Sequence, residues 1–124
     1  MITTITRRYT FEAAHFLPKV RDGHKCKRMH GHNYEIDVTI AGDVGSDGFL
    51  IDFWDLDKVV QPLIDMVDHR TLNDIKGLEN PTAEIIGTWF LFNISIALQP
   101  FTYRCSAVRV YETKDCWADV AVTV

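Results

Sequence analysis

Cys26-Lys27-Arg28-Met29-His30-Gly31-His32-Asn33-Tyr34-Glu35-Ile36-Asp37-Val38-Thr39-Ile40 is the stretch whose pattern decides the fold. From about His32 to Asp43, Tyr34, Ile36, Val38 and Ile40 fall on one face, and Asn33, Glu35, Asp37 and Thr39 on the other. A period of two is that of a strand, and one apolar face with one wet face is the habit of an antiparallel sheet. His30 and His32 continue the apolar even face, so the pattern aims both rings inward. Two imidazoles on one face can grip a single Zn²⁺, which takes about four ligands, of which about three come from protein at a catalytic site. Taken alone, His-x-His fits a surface loop with incidental histidines equally well.

The preceding segment offers a third nitrogen. Residues 2–16 read as a long strand rich in Thr, Ile, Tyr and Phe, with Ile5, Tyr9, Phe11 and Ala13 on its more apolar odd face, interrupted by Arg7. His15 ends that face. Pairing the two strands as a hairpin with a long connection over residues 17–30 brings His15 near His30 and His32.

Beyond the second strand, Gly42 to Gly48 is turn chemistry, and Phe49 to Phe53 is a short apolar extended piece. A helix follows, with Leu56, Val59, Val60, Leu63 and Val67 at helical spacing and a bend expected near residues 58–62 from Pro62. Asn80 as N-cap and Pro81 at the first helical position open a second helix, whose core stripe is read as Ile85, Trp89, Phe92 and Ile96. Residues 102–113 and 117–124 read as a third and a fourth strand. Ser106, Val108 and Val110 share a face, and Glu112 continues it. A carboxylate in line with an apolar face costs free energy unless it is paired, hydrogen-bonded or already in water. The order β-β-α-α-β-β has no βαβ alternation. It predicts an α+β fold, a four-stranded antiparallel sheet with two helices on one face.

The chain has 124 residues, 47% of them apolar and 24% charged, which suits a single globular domain over 1–124. A net charge of −4 argues against general nucleic-acid binding. Lys19, Arg21, Lys25, Lys27 and Arg28 nevertheless cluster around one acid, Asp22. Such a patch is either a solvated basic loop or a seat for an anionic substrate such as a phosphate ester. Three cysteines do not suggest a disulfide framework. No signal-like start and no apolar run of membrane-spanning length is present, so no membrane partner and a cytoplasmic location are expected. His24 reads as a loop histidine, and Cys105 and Cys116 as structural.

Several motifs agree in order and spacing with one known family. They are Phe11-Glu12-Ala13-Ala14-His15, Cys26 four residues before His30-Gly31-His32, Ile51-Asp52-Phe53, Asp68-His69, Leu72-Asn73-Asp74, Glu79-Asn80-Pro81-Thr82-Ala83-Glu84 and Glu112-Thr113. The chain resembles the 6-pyruvoyl tetrahydropterin synthase family along nearly its whole length. The short Cys-x-x-x-His-Gly-His spacing resembles its bacterial branch, the 6-carboxy-5,6,7,8-tetrahydropterin synthases of the queuosine pathway.

The resemblance implies a zinc ion held by His15, His30 and His32, and a basic cysteine at Cys26. It also implies a second proton-transfer pair at Asp68 and His69, and a pterin-anchoring carboxylate at Glu112. Thr82 and Lys25 are expected near the substrate, 7,8-dihydroneopterin triphosphate. The implied product is 6-carboxy-5,6,7,8-tetrahydropterin, with acetaldehyde and triphosphate released by a lyase. The alternatives are the pyruvoyl product on the same fold, or a zinc- or pterin-binding module without turnover. The family also implies a tunnelling-type fold in which sheets join edge to edge into a β-barrel, hence a homo-oligomer, hexamer or tetramer. Lys25, Lys27 and Arg28 surround Cys26 with positive charge, the setting that favours a thiolate.

Overall fold

The long strand pair and the two helices form as the pattern predicts. In a computed structural model, which describes residues 1–122, β1 (Thr3–His15) and β2 (His30–Gly42) pair antiparallel from Thr3 opposite Gly42 to His15 opposite His30. Helix α1 spans Phe53–Val67, β3 is Arg70–Thr71, α2 spans Ala83–Ala97, and β4 (Arg104–Thr113) and β5 (Cys116–Ala121) close the order. The sheet has five strands in the order β3-β1-β2-β4-β5, and β3 runs parallel to β1. The expected four antiparallel strands are therefore corrected to a mixed sheet of five. The missed strand is two residues long, too short for any periodicity to register. Of the expected fourth strand, residues 123 and 124 lie outside the described residues.

Tyr34, Ile36, Val38 and Ile40 are fully buried, each contributing on the order of 2 kcal/mol of burial free energy. Phe11 stacks on Tyr34 with ring centroids 4.9 Å apart, and Tyr9, Phe11, Ala13 and His15 are buried on the matching face of β1. Arg7, the interruption on that face, reaches Asp57 of α1 at 2.7 Å, and the Tyr9 hydroxyl donates to the same carboxylate at 2.6 Å. That pairing, with a side chain still 44% exposed to solvent, lets a cation stand in an otherwise apolar row.

Helix α1 is capped by Asp52, whose carboxylate accepts from the Trp54 N–H at 2.8 Å, and it continues through Pro62 to Val67. It buries Leu56, Val60, Ile64 and Val67. Helix α2 departs from the sequence reading twice. Its N-cap is Thr82, not Asn80, because the Thr82 hydroxyl accepts from the Ile85 N–H at 3.2 Å and leaves Pro81 outside the helix. Its buried stripe is Ile86, Phe90 and Ile94, whereas Phe92 and Ile96 are 62% and 48% exposed. The helix is apolar nearly all round, so two stripes have helical spacing and pattern cannot choose between them. Gly87 makes the choice: a Cβ there would stand 2.8 Å from Val120 Cγ2 and 3.3 Å from Val110 Cγ2. Only the glycine side of α2 can approach β4 and β5 this closely.

Candidate functional site

Register and burial build a histidine cluster at the end of the hairpin. His15 stands opposite His30 and Ala13 opposite His32, so the three rings share the inward face at one edge of the core. Ring centroids are 4.5 Å apart for His15 and His30, 5.2 Å for His15 and His32, and 5.0 Å for His30 and His32. One nitrogen from each ring lies within 4.8 Å of the others, so the cluster can hold a metal ion.

Hydrogen bonds fix which nitrogens face inward. His15 Nδ1 lies 2.9 Å from the Pro81 carbonyl oxygen, and His30 Nδ1 lies 2.7 Å from the Arg28 carbonyl oxygen. A carbonyl oxygen only accepts, so each Nδ1 carries the hydrogen and each Nε2 presents a lone pair. The two Nε2 atoms are 3.0 Å apart. Lone pairs facing each other at that distance repel, and a cation held by both nitrogens would relieve the repulsion. A proton is disfavoured there, since burial lowers the pKa of fully buried His15 below the usual histidine range. Burial lowers His32 as well, against an opposing pull from Glu112. Two of the three imidazoles, His15 and His30, are oriented by a backbone acceptor through Nδ1, an arrangement that suits metal ligation. The Tyr34 hydroxyl completes the buried wall, 3.1 Å from His15 Nδ1.

Beside this cluster opens a cavity of about 520 Å³, lined by Lys25, Cys26, Arg28, His30, His32 and Glu112 among others. Cys26 is half-buried and lies in a single 3₁₀ turn, Lys25–Lys27. Of the local cations, Lys27 is engaged by Asp22, while Lys25 and Arg28 stand at the cavity. Glu112 also borders a second cavity of about 360 Å³ with Thr82, Glu84 and Trp117. It therefore lies between the two spaces, half-buried at the end of the apolar row of β4.

Asp68 and His69 are placed elsewhere. Asp68 caps the C-terminus of α1 and accepts from the Glu12 N–H at 3.0 Å and from His69 Nδ1 at 3.0 Å. Those bonds, the Glu12 N–H first, lower the Asp68 pKa below the usual carboxylate range. His69 adopts φ +57°, its N–H donates to the Glu12 carbonyl at 2.6 Å, and its ring is largely exposed. Its Nε2 comes within 3.5 Å of Glu12 Oε2. Glu12 alternates with Ala13, so this pair lines the face of the sheet opposite the histidine cluster, beside Asn33. Within one chain, then, His15, His30, His32, Cys26, Lys25 and Glu112 come together and Thr82 joins through Glu112, while Asp68 and His69 are absent from the wall of the Cys26 cavity and His69 borders a separate space that His32 also reaches.

Four contributors escaped the sequence reading. Pro81 supplies only a backbone carbonyl, which no residue type announces. The Tyr34 hydroxyl was hidden in an apolar strand face. Asn73 accepts from the Phe16 N–H at 3.0 Å and donates to the Phe16 and Glu79 carbonyls at 2.8 and 3.3 Å. His24 accepts the Cys26 N–H. The Leu72-Asn73-Asp74 motif had marked Asn73 without giving it a task.

Residues 4–122 match the family model described as 6-pyruvoyl tetrahydropterin synthase. A 6-carboxy-5,6,7,8-tetrahydropterin synthase from Synechocystis sp. is 39% identical over 115 residues, covering 88% of this chain and 85% of that protein. One of the same name from Bacillus subtilis is 34% identical over 106 residues, covering 80% and 70%. Among solved structures, a 6-pyruvoyl tetrahydropterin synthase from Caenorhabditis elegans superposes with a TM-score of 0.87 at 27% identity, covering 99% of this chain and 97% of that one.

Proposed function

The chain belongs to the 6-pyruvoyl tetrahydropterin synthase family, and from that premise we propose that it converts 7,8-dihydroneopterin triphosphate and one water to 6-carboxy-5,6,7,8-tetrahydropterin, releasing acetaldehyde and triphosphate. The observation that carries the reading is the shared cavity: one thiol, a histidine cluster and one carboxylate meet around a space of about 520 Å³. His15, His30 and His32 would hold zinc, which would supply Lewis-acid polarisation of the substrate's side-chain oxygens.

The chain's own residues do the rest. Cys26 takes a proton from a carbon of the substrate's side chain. Glu112 accepts hydrogen bonds from the amino-pyrimidinone edge of the pterin, which compensates its partial burial. Thr82 lines the adjoining space on the pterin side of Glu112, and Lys25 offers a cation to the triphosphate. Asp68 orients the His69 ring through Nδ1 for the second proton transfer.

Asp68-His69 faces away from Cys26 of its own chain, so the pair completes a site on a neighbouring copy. An open sheet whose outer strand β5 carries an unpaired edge favours such an assembly into a barrel. Queuosine biosynthesis is the corresponding route, and the cytoplasm the corresponding place. The described residues contain no helix long and apolar enough to cross a membrane.

The test is a product assay on 7,8-dihydroneopterin triphosphate with the zinc-loaded full chain. Acetaldehyde in step with 6-carboxy-5,6,7,8-tetrahydropterin is the expected result. Accumulation of 6-pyruvoyl tetrahydropterin without acetaldehyde assigns the other reaction of the same residues, in keeping with the likeness to the Caenorhabditis elegans enzyme. Bound zinc without turnover of dihydropterins leaves a binding module.

A further inference from the structure

Cys26 is held by its backbone on both sides. Its N–H donates to His24 Nδ1 at 3.0 Å, and its carbonyl accepts from the Leu17 N–H at 2.8 Å, two residues beyond His15. The 3₁₀ turn closes with Lys27 N–H to the His24 carbonyl and Arg28 N–H to the Lys25 carbonyl, each at 3.1 Å. The Arg28 carbonyl then receives His30 Nδ1–H at 2.7 Å. One short turn is thus anchored at its start by the His24 ring and at its end by a ring of the histidine cluster. His24 itself is half-buried and takes no place in the wall of the cavity that Cys26 lines.

We infer that His24 is a positioning residue: by capping the turn it fixes where Cys26 Sγ stands relative to the histidine cluster, without touching the substrate. The role of Cys26 in turnover rests on the function proposed above, but the cap does not. The bond runs from a side chain to the N–H two residues on, the arrangement that asparagine makes in an Asx turn. Nδ1 of histidine and Oδ1 of asparagine are the same number of bonds from Cα, so asparagine can replace the acceptor while discarding Nε2. Glutamine carries its oxygen one carbon too far, and alanine has none.

The experiment compares His24→Ala, His24→Asn and His24→Gln in the zinc-loaded full chain by amide exchange at Cys26 and by steady-state kinetics. In His24→Ala, exchange at the Cys26 amide rises about tenfold, the order expected for loss of a cap acceptor. The kcat falls by a similar factor, while KM stays within about twofold and zinc content is unchanged. His24→Asn restores protection and kcat, and His24→Gln does not. Unchanged Cys26 exchange in His24→Ala overturns the inference. So does a folded His24→Asn protein as impaired as His24→Ala, since that result assigns the function to Nε2. If the wild-type chain turns over no dihydropterin, the proposed function fails by itself and the exchange measurement still decides the cap.

Discussion

Replacing Asn73 with alanine removes the clamp between the segment after His15 and the loop that leads into α2. Three hydrogen bonds go: two to the backbone of Phe16 at 3.0 and 2.8 Å, and one to the Glu79 carbonyl at 3.3 Å. The two part-buried bonds are worth about 1 kcal/mol each, with a further cost for the Phe16 groups left without partners, so the loss is about 2–3 kcal/mol. For a chain of this size that lowers the unfolding midpoint by roughly 6–15 °C. The consequence at the site is more specific. Phe16 follows His15, and Glu79 lies two residues before Pro81, whose carbonyl orients His15. Loosening that contact weakens zinc binding by about tenfold, the lower end for groups that orient a metal ligand. Asn73→Asp keeps an acceptor for the Phe16 N–H but sets a carboxylate against two carbonyl oxygens, so it behaves like the alanine variant. The assays are thermal unfolding of the metal-free protein and a zinc competition titration. A midpoint within about 2 °C of wild type refutes the clamp. A lowered midpoint with unchanged zinc affinity refutes its link to His15.

Glu112→Gln keeps shape and removes charge, so kcat/KM for the pterin substrate falls by about 10–100-fold, mostly through KM, while zinc content holds; an unchanged KM contradicts the anchoring role. His15 and His32 have lowered pKa values because of burial, so below the unfolded-state value of about 6.5 the unfolded chain binds more protons than the folded one. Their stability contribution is complete above that pH and is lost as pH falls from there through the lowered folded values. The urea midpoint of the metal-free protein therefore drops between pH 7 and pH 5, and less so in His15→Gln; a midpoint that rises over this range contradicts the assignment. Gly87→Val forces side-chain atoms onto Val120 and Val110, 2.8 and 3.3 Å from the Cβ position, and costs about 1–3 kcal/mol by overpacking; an unchanged unfolding midpoint removes the reason given for the buried face of α2.

The hairpin was legible because β2 alternates without a fault and because His15, His30 and His32 all extend apolar faces whose register then follows. Glu112 was legible for the same reason, as a carboxylate continuing the row of Val108 and Val110. Helix α2 was legible as a helix but not in its orientation, because an apolar surface on all sides carries no phase. Its buried side depends on one missing Cβ at Gly87, a tertiary property. The start of α2 was misplaced because Asn80-Pro81 and Thr82 are both good caps locally, and the His15 ring claims the Pro81 carbonyl from far along the chain. Strand β3 has two residues and no pattern. The separation of Asp68-His69 from Cys26 follows from side-chain alternation at Glu12, which sequence shows only once β1 is known to run beside β3.

In the proposed site three histidines hold the metal while Cys26 stands beside it as base rather than as a fourth ligand. The zinc content of purified Cys26→Ala protein, in a preparation that has lost turnover, tests this most directly. With three histidine ligands intact, zinc remains equimolar with the chain in this variant and in wild type alike. Loss of the metal together with activity would contradict it and make Cys26 a ligand.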